Sequence, residues 1–185
     1  MQNNMVYREI KGDNVILRPI TMEDTDNIVK WRNNSEVRKN FIFRGEFTYE
    51  GHKRWMETKV AKGEVIQYII LTKSERKPIG SVYFRDIDLN NNSAEYGIFI
   101  GEDSARGKGI GKETARLFTR YGIDELKLHR ISLRVLADND VAYRTYENAG
   151  FRKEGTFRDM VFLDGKYRDV IFMALLAEDV LGEEL

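Results

Sequence analysis

The stretch from Ala94 to Lys112 constrains this chain more than any other. Ala94-Glu95-Tyr96-Gly97-Ile98-Phe99-Ile100 alternates like a strand, Gly101-Glu102-Asp103-Ser104-Ala105 turns, and Arg106-Gly107-Lys108-Gly109-Ile110-Gly111-Lys112 opens a long amphipathic run. A strand that ends in a glycine-rich turn and restarts as a helix leaves several backbone N–H groups unpaired at the positive end of the helix dipole. Such a turn is an anion site, most naturally a phosphate site.

Two familiar phosphate loops do not fit it. A Walker A loop would need Ser or Thr after Gly111-Lys112, where Glu113 stands, and a glycine where Arg106 stands. A dinucleotide fingerprint counted from Gly107 puts Lys112 on its third glycine. What remains is R-x-x-G-x-G. About thirty residues on, Asn139, Ala142, Tyr146 and Gly150-Phe151 are spaced N-x-x-A-x-x-x-Y-x-x-x-G-F. With these two motifs in this order, the chain resembles the GCN5-related N-acetyltransferases. The resemblance implies a GNAT-like α+β (mixed α/β) fold, a single mostly antiparallel central sheet of about seven strands flanked by four helices. It also implies acetyl-coenzyme A as co-substrate, its pyrophosphate on the loop.

The rest of the pattern agrees with that order. Asn14 to Ile20 reads as a strand, and Thr21-Met22-Glu23-Asp24 resembles a capping box before a helix whose apolar face carries Ile28, Val29 and Trp31. Arg32 to Asn40 reads as a polar loop with room for a turn of helix, and Thr48 as the cap of a second helix to about Val60. Val65 to Leu71, Pro78 to Arg85 and Ala94 to Ile100 follow as strands, then a helix from Gly109 with a 3.6-residue apolar period. Ile131 to Val135 is a strand, and Asn139 begins a helix ending at Gly150. Arg152 to Phe162 and Tyr167 to Leu176 form a hairpin across Asp164-Gly165. No linker divides the 185 residues, so the expectation is a single N-acetyltransferase domain over 1–185.

Composition narrows the chemistry. Thirty basic residues balance thirty acidic ones, so global charge recommends neither nucleic acid nor membrane as partner. The start, Met1 to Glu9, lacks a basic-then-apolar leader pattern, and the expected location is cytoplasmic. With no cysteine there is no thiolate nucleophile, so an acyl group would move by direct attack in a ternary complex. His52 and His129 are the only histidines, and no metal is expected.

An alkyl amine is only about 0.04% neutral at pH 7, and only that form attacks a thioester. The site therefore needs a proton acceptor, donors for the oxyanion and an acid for the leaving thiolate. Tyr146, on the position of the family's tyrosine, is the candidate acid. Glu95 interrupts an apolar strand and is the candidate base, directly or through water. By the resemblance, Ile98, Phe99 and Ile100 offer backbone groups to the pantetheine arm beside a bulge near Gly97 and Gly101. Arg106, Gly107, Lys108, Gly109, Ile110, Gly111 and Lys112 hold the pyrophosphate, and Asn139 and Tyr146 complete the cofactor set.

The acceptor is less constrained. Arg18, Arg32, Arg38, Lys39 and Arg44 make the N-terminal third basic, which suits an anionic acceptor better than a polycation. The chain broadly resembles the ribosomal-protein-alanine and polyamine acetyltransferase branch. Trp31-Arg32-Asn33 with His52 and Trp55 also resembles the nucleotide-linked amino-sugar acetyltransferases of pseudaminic acid synthesis, which makes Trp31, Arg32, Asn33 and His52 candidate substrate contacts. A nucleotide-linked amino sugar is thus the favoured acceptor. A ribosomal-protein, peptide or spermidine acceptor is the alternative, and a non-catalytic acyl-coenzyme A sensor is the reading from another class. Pairing of sheet edges near the C-terminal hairpin would make a homodimer.

Overall fold

The computed structural model describes residues 7–181. Met1 to Val6, on which most of the leader reading rests, lie outside them. The described strands are β1 (Ile10–Lys11), β2 (Val15–Pro19), β3 (Ile66–Thr72), β4 (Pro78–Asp88), β5 (Ser93–Ile100), β6 (Arg130–Leu136), β7 (Arg152–Leu163) and β8 (Lys166–Leu176). The α-helices are α1 (Thr25–Asn33), α2 (Ser35–Arg38), α3 (Tyr49–Trp55), α4 (Ile110–Asp124), α5 (Asp140–Glu147) and α6 (Ala177–Leu181). The fold is the expected mixed one, with eight strands and six helices among the described residues where about seven and four were expected. The extra pieces, β1, α2 and α6, are two to five residues long, too short for periodicity to reveal, and α2 is the turn of helix for which the polar stretch Arg32 to Asn40 left room.

Local signals place the longer elements. The Asp24 carboxylate accepts the Thr21 N–H at 2.8 Å at the start of the α1 region. Thr48 Oγ1 accepts the Gly51 N–H and caps α3, which continues through a π-helical turn to Val60. Asp164 and Gly165 both take positive φ, the conformation a two-residue hairpin turn requires, and Leu163 pairs with Lys166.

The strands run in the order β1-β2-β3-β4-β5-β6-β8-β7. Every neighbouring pair is antiparallel except β5 and β6, which are parallel. That ladder is short: Ser93 pairs with Arg130, Ala94 with Ile131 and Glu95 with Ser132, and there it stops. Meanwhile β5 stays paired to β4 as far as Ile100, and β6 to β8 as far as Leu136. The sheet therefore forks beyond Glu95. The expected bulge near Gly97 and Gly101 is not what opens it. The β4–β5 register runs unbroken from Gly80↔Ile100 to Arg85↔Glu95 and slips only between Arg85 and Asp88, where Asp86 has φ 50°.

Two cores sandwich the sheet. On one face Phe118 of α4 stacks on Phe84 with centroids 4.3 Å apart, among Val15, Leu17, Tyr68 and Tyr96, with α5 and α6 packed alongside. On the other face Ile28 and Trp31 of α1 and Val37 of α2 cover Ile16, Ile69, Leu71 and Phe99. Glu113 locks α4 to the first arm, accepting the Asn14 and Val15 N–H groups at 2.8 and 3.2 Å. Burial works against that carboxylate's charge, but these hydrogen bonds prevail and hold it below the usual carboxylate range. Because Phe118 is fully buried, Phe118→Ala should destabilise the protein by about 3–5 kcal/mol, read as a lower denaturant midpoint at unchanged m-value.

Candidate active site

The glycine-rich turn meets the sheet at the fork. Gly107 and Gly109 have φ of 72° and 75°, left-handed values that any other residue would adopt only under strain. A Cβ added at either would meet nothing within 4 Å. The glycines thus leave an open cradle in front of α4. Gly109 supplies no side-chain cap, and the Glu113 N–H returns to the Gly109 carbonyl. The amides of Ile110, Gly111 and Lys112 lie in the first turn ahead of that bond and have no intrahelical acceptor. Lys108 and Lys112 are exposed at the rim.

Arg106 does not join them. Its Nε and NH2 each lie 3.3 Å from the Ile100 carbonyl and its NH1 lies 2.8 Å from Asp103, so the guanidinium fastens the turn instead of facing a phosphate. The same contacts occupy the Ile100 carbonyl, which removes it as a free acceptor for a pantetheine arm. Ile98 and Phe99 remain on the arm of β5 that no longer pairs with β6, although the Phe99 side chain itself belongs to the second core.

Tyr146 stands on α5 beside the fork. Its ring meets Tyr96 of β5 edge-on, with centroids 6.1 Å apart, and Phe151 at 6.0 Å. Burial, with Tyr83 adding to it, pushes the phenol well above its ordinary pKa, so the proton is held throughout the neutral range. Asn139 caps α5, accepting the Ala142 N–H at 3.2 Å, while its Nδ2 lies 3.3 Å from Asn40 Oδ1.

Glu95 sits in the crotch of the fork, but not as a free base. Arg85 of β4 binds its Oε1 through both Nε and NH2. From the far arm Arg134 reaches Oε1 at 3.1 Å and Oε2 at 2.8 Å. Oε1 accepts from both arginines and Oε2 from Arg134 alone, so the carboxylate is committed to ion pairs on both arms. Glu95 acts here as a tether across the split.

The proposed acceptor residues fare differently from expectation. Trp31 is core, 1% exposed, and its indole donates to Glu102 at 2.7 Å. Asn33 uses both ends of its amide on the backbone of Phe47, fixing the loop before α3. His52 is buried with Nδ1 3.1 Å from Thr25 Oγ1, and burial lowers its pKa, so the ring stays neutral. Arg32 is buried between Phe41 and Phe47, its guanidinium 3.3 and 4.4 Å from the ring centroids. Of the basic cluster read from the sequence, Arg18 pairs with Asp24, Lys39 with Glu36 and Arg44 with Asp164. Those charges are neutralised locally.

Sequence reasoning missed Tyr83. It pairs with Gly97, and its ring lies across that glycine so closely that a Cβ there would sit 2.3 Å from Tyr83 Cζ. The glycine in an otherwise apolar strand was the available signal, since it marks a close approach. Among the described residues no group of His, Cys, Asp or Glu could hold a metal ion.

A model of the GNAT acetyltransferase domain matches residues 14–152. The chain belongs to this family. It is 32% identical to a probable N-acetyltransferase, YjcK, of Bacillus subtilis, over 92% of this chain and 98% of that protein. It is 28% identical to spermidine N(1)-acetyltransferase of Escherichia coli K12, over 91% and 89%. A crystal structure of spermidine N-acetyltransferase from Vibrio cholerae in complex with CoA and spermine superposes with a TM-score of 0.86 at 24% identity, covering 92% of this chain and 99% of that one. The GNAT chain is thus an N-acetyltransferase with acetyl-coenzyme A as co-substrate, and the open cradle at Gly107 and Gly109 fits a diphosphate. No described helix is long and apolar enough to cross a membrane.

Gly109→Val fills the cradle and strains the turn. Its coenzyme A affinity, measured by calorimetry, should fall at least about ten-fold, or about 1.4 kcal/mol; an unchanged affinity would place the diphosphate elsewhere. Glu95→Gln keeps the tether's shape but not its charge. The acceptor KM should rise while the pH profile of kcat persists, and loss of the basic limb of that profile would reinstate Glu95 as the base.

Proposed function

We propose that this enzyme, a single domain, transfers an acetyl group directly from acetyl-coenzyme A to the primary amine of a small molecule, with Tyr146 as the acid. The observation that carries the reading is the end of β5–β6 pairing at Glu95, on the strand whose Tyr96 meets the Tyr146 ring and which leads on into the glycine turn. Acetyl-coenzyme A supplies the activated acyl carbon. Unpaired backbone on the β5 arm orients the pantetheine, and the amides before α4, with Lys108 and Lys112, hold the diphosphate. The amine arrives on the side covered by α1 to α3 and gives one ammonium proton to water, Glu95 being held in its ion pairs. Its nitrogen bonds to the acyl carbon as the carbon–sulfur bond breaks, Tyr146 gives its proton to the departing sulfur, and the surplus proton on the new amide nitrogen returns the phenolate to phenol. The desolvation that keeps the phenol protonated also raises the proton affinity of a thiolate formed beside it.

The amino-sugar expectation loses most of its support, because Trp31, Asn33 and His52 are tied into the packing. A polyamine acceptor is the second reading, favoured by the names of the relatives. Homodimer formation draws support from β7, an exposed edge strand carrying Phe157, Met160 and Phe162.

Tyr146→Phe tests the role of the phenol. The variant should lose about two orders of magnitude in kcat, within the range for general acid catalysis, and bind acetyl-coenzyme A as the parent does. Because the phenol is raised above 10.0, no alkaline limb below about pH 10 should vanish with it. Unchanged turnover would remove Tyr146 from the chemistry.

A further inference from the structure

The face of β5 that looks toward α1 to α3 carries charge that the reaction does not use. Glu95, Gly97 and Phe99 alternate along it and span about 13 Å from the first to the last. At one end Arg85 and Arg134 converge on Glu95. In the middle the half-buried Tyr83 ring lies over Gly97. At the other end the Arg32 guanidinium lies 5.8 Å from the Phe99 ring. Three guanidiniums thus flank this strip, and Glu95 is the carboxylate that two of them share. The other carboxylate on Arg85 is Asp86, 3.7 Å away with its side chain 73% exposed.

Arg32 is the telling member. Its residue is 8% exposed, its Nε is buried without a partner, and its NH2 reaches only the Phe43 carbonyl at 3.4 Å. Among the described residues no carboxylate pairs with it. Burial, with repulsion from Arg85 and against Tyr83, lowers it to about 10, which leaves it cationic at neutral pH. The aromatic faces of Phe41 and Phe47 stabilise that cation but accept none of its N–H groups, which an anionic group would complete. Arg134 is paired with Glu95, although its Nε too is buried and unpartnered.

We infer that the acceptor is a primary amine that itself carries an anionic group, a phosphate or carboxylate, bound by Arg32 on the β5 face beside Tyr83, with Arg134 adding positive charge at the Glu95 end. The inference rests on the transfer reading above and deepens it. Planar guanidiniums bind such groups through paired N–H donors, and an acceptor of two or more positive charges would meet repulsion along the whole strip.

The test compares matched amines: glucosamine 6-phosphate against glucosamine, 2-aminoethyl phosphate against ethanolamine, and spermidine alone. Thioester consumption by the full chain should show kcat/KM at least ten-fold higher for the phosphorylated member of a pair, shrinking with added salt. The ratio should narrow in Arg32→Met and in Arg134→Gln, whose folding is checked by thermal melts. Either variant suffices if the other fails to fold. Equal ratios, or preference for spermidine, would overturn the inference. A second arm measures binding of the same amines to protein saturated with coenzyme A, which blocks the cradle before α4. If no amine is acetylated but the phosphorylated ones bind preferentially, the charge selection stands and the transfer reading falls. If they bind no better than their neutral partners, the inference falls whatever the enzyme acetylates.

Discussion

The active region depends on a parallel ladder that ends after Glu95 and Ser132. Each arm of the fork is secured on its outer side, β5 by β4 and β6 by β8, so the arms separate without unravelling. The gap leaves strand backbone unpaired inside a folded protein, which is costly unless water or a ligand satisfies it. A pantetheine arm has the amides to do so. Glu95 holds the crotch closed by ion-pairing to both sides, through Arg85 on one arm and Arg134 on the other.

Around that split, each face does a different job. One face packs α4 against the sheet through Phe118 and aims the open amides of its first turn at the mouth of the fork. The other face is roofed by α1 to α3 and by the loop from Lys39 to Phe47. That loop is held through Asn40 to Asn139 and through Arg44 to Asp164 at the hairpin tip. Tyr146 and Tyr83 approach the split on elements from opposite sides of it, and burial raises both phenols.

Much of the site was legible in particular residues. Gly107 and Gly109 were recognisable because a left-handed turn before a helix leaves few alternatives to glycine. Asn139 and Thr48 were legible as caps for a similarly local reason. Glu95 stood out as a charge in an apolar strand, yet its partners lie 10 and 39 positions away, so its role as a tether was hidden. Trp31 and His52 misled because a motif gives identity and spacing, not the direction a side chain faces.

The sequence by itself determined the element order, the turns and the helix starts, and with them the family. These are set by contacts between near neighbours: alternation, capping, and the φ that glycine alone tolerates readily. Only the tertiary structure decided which cations are neutralised and which are not. Arg18, Lys39 and Arg44 meet carboxylates on folding, whereas Arg32 is enclosed by aromatic rings. Charge pairing between residues far apart in the chain depends on how the sheet brings strands together, and composition carries no record of that.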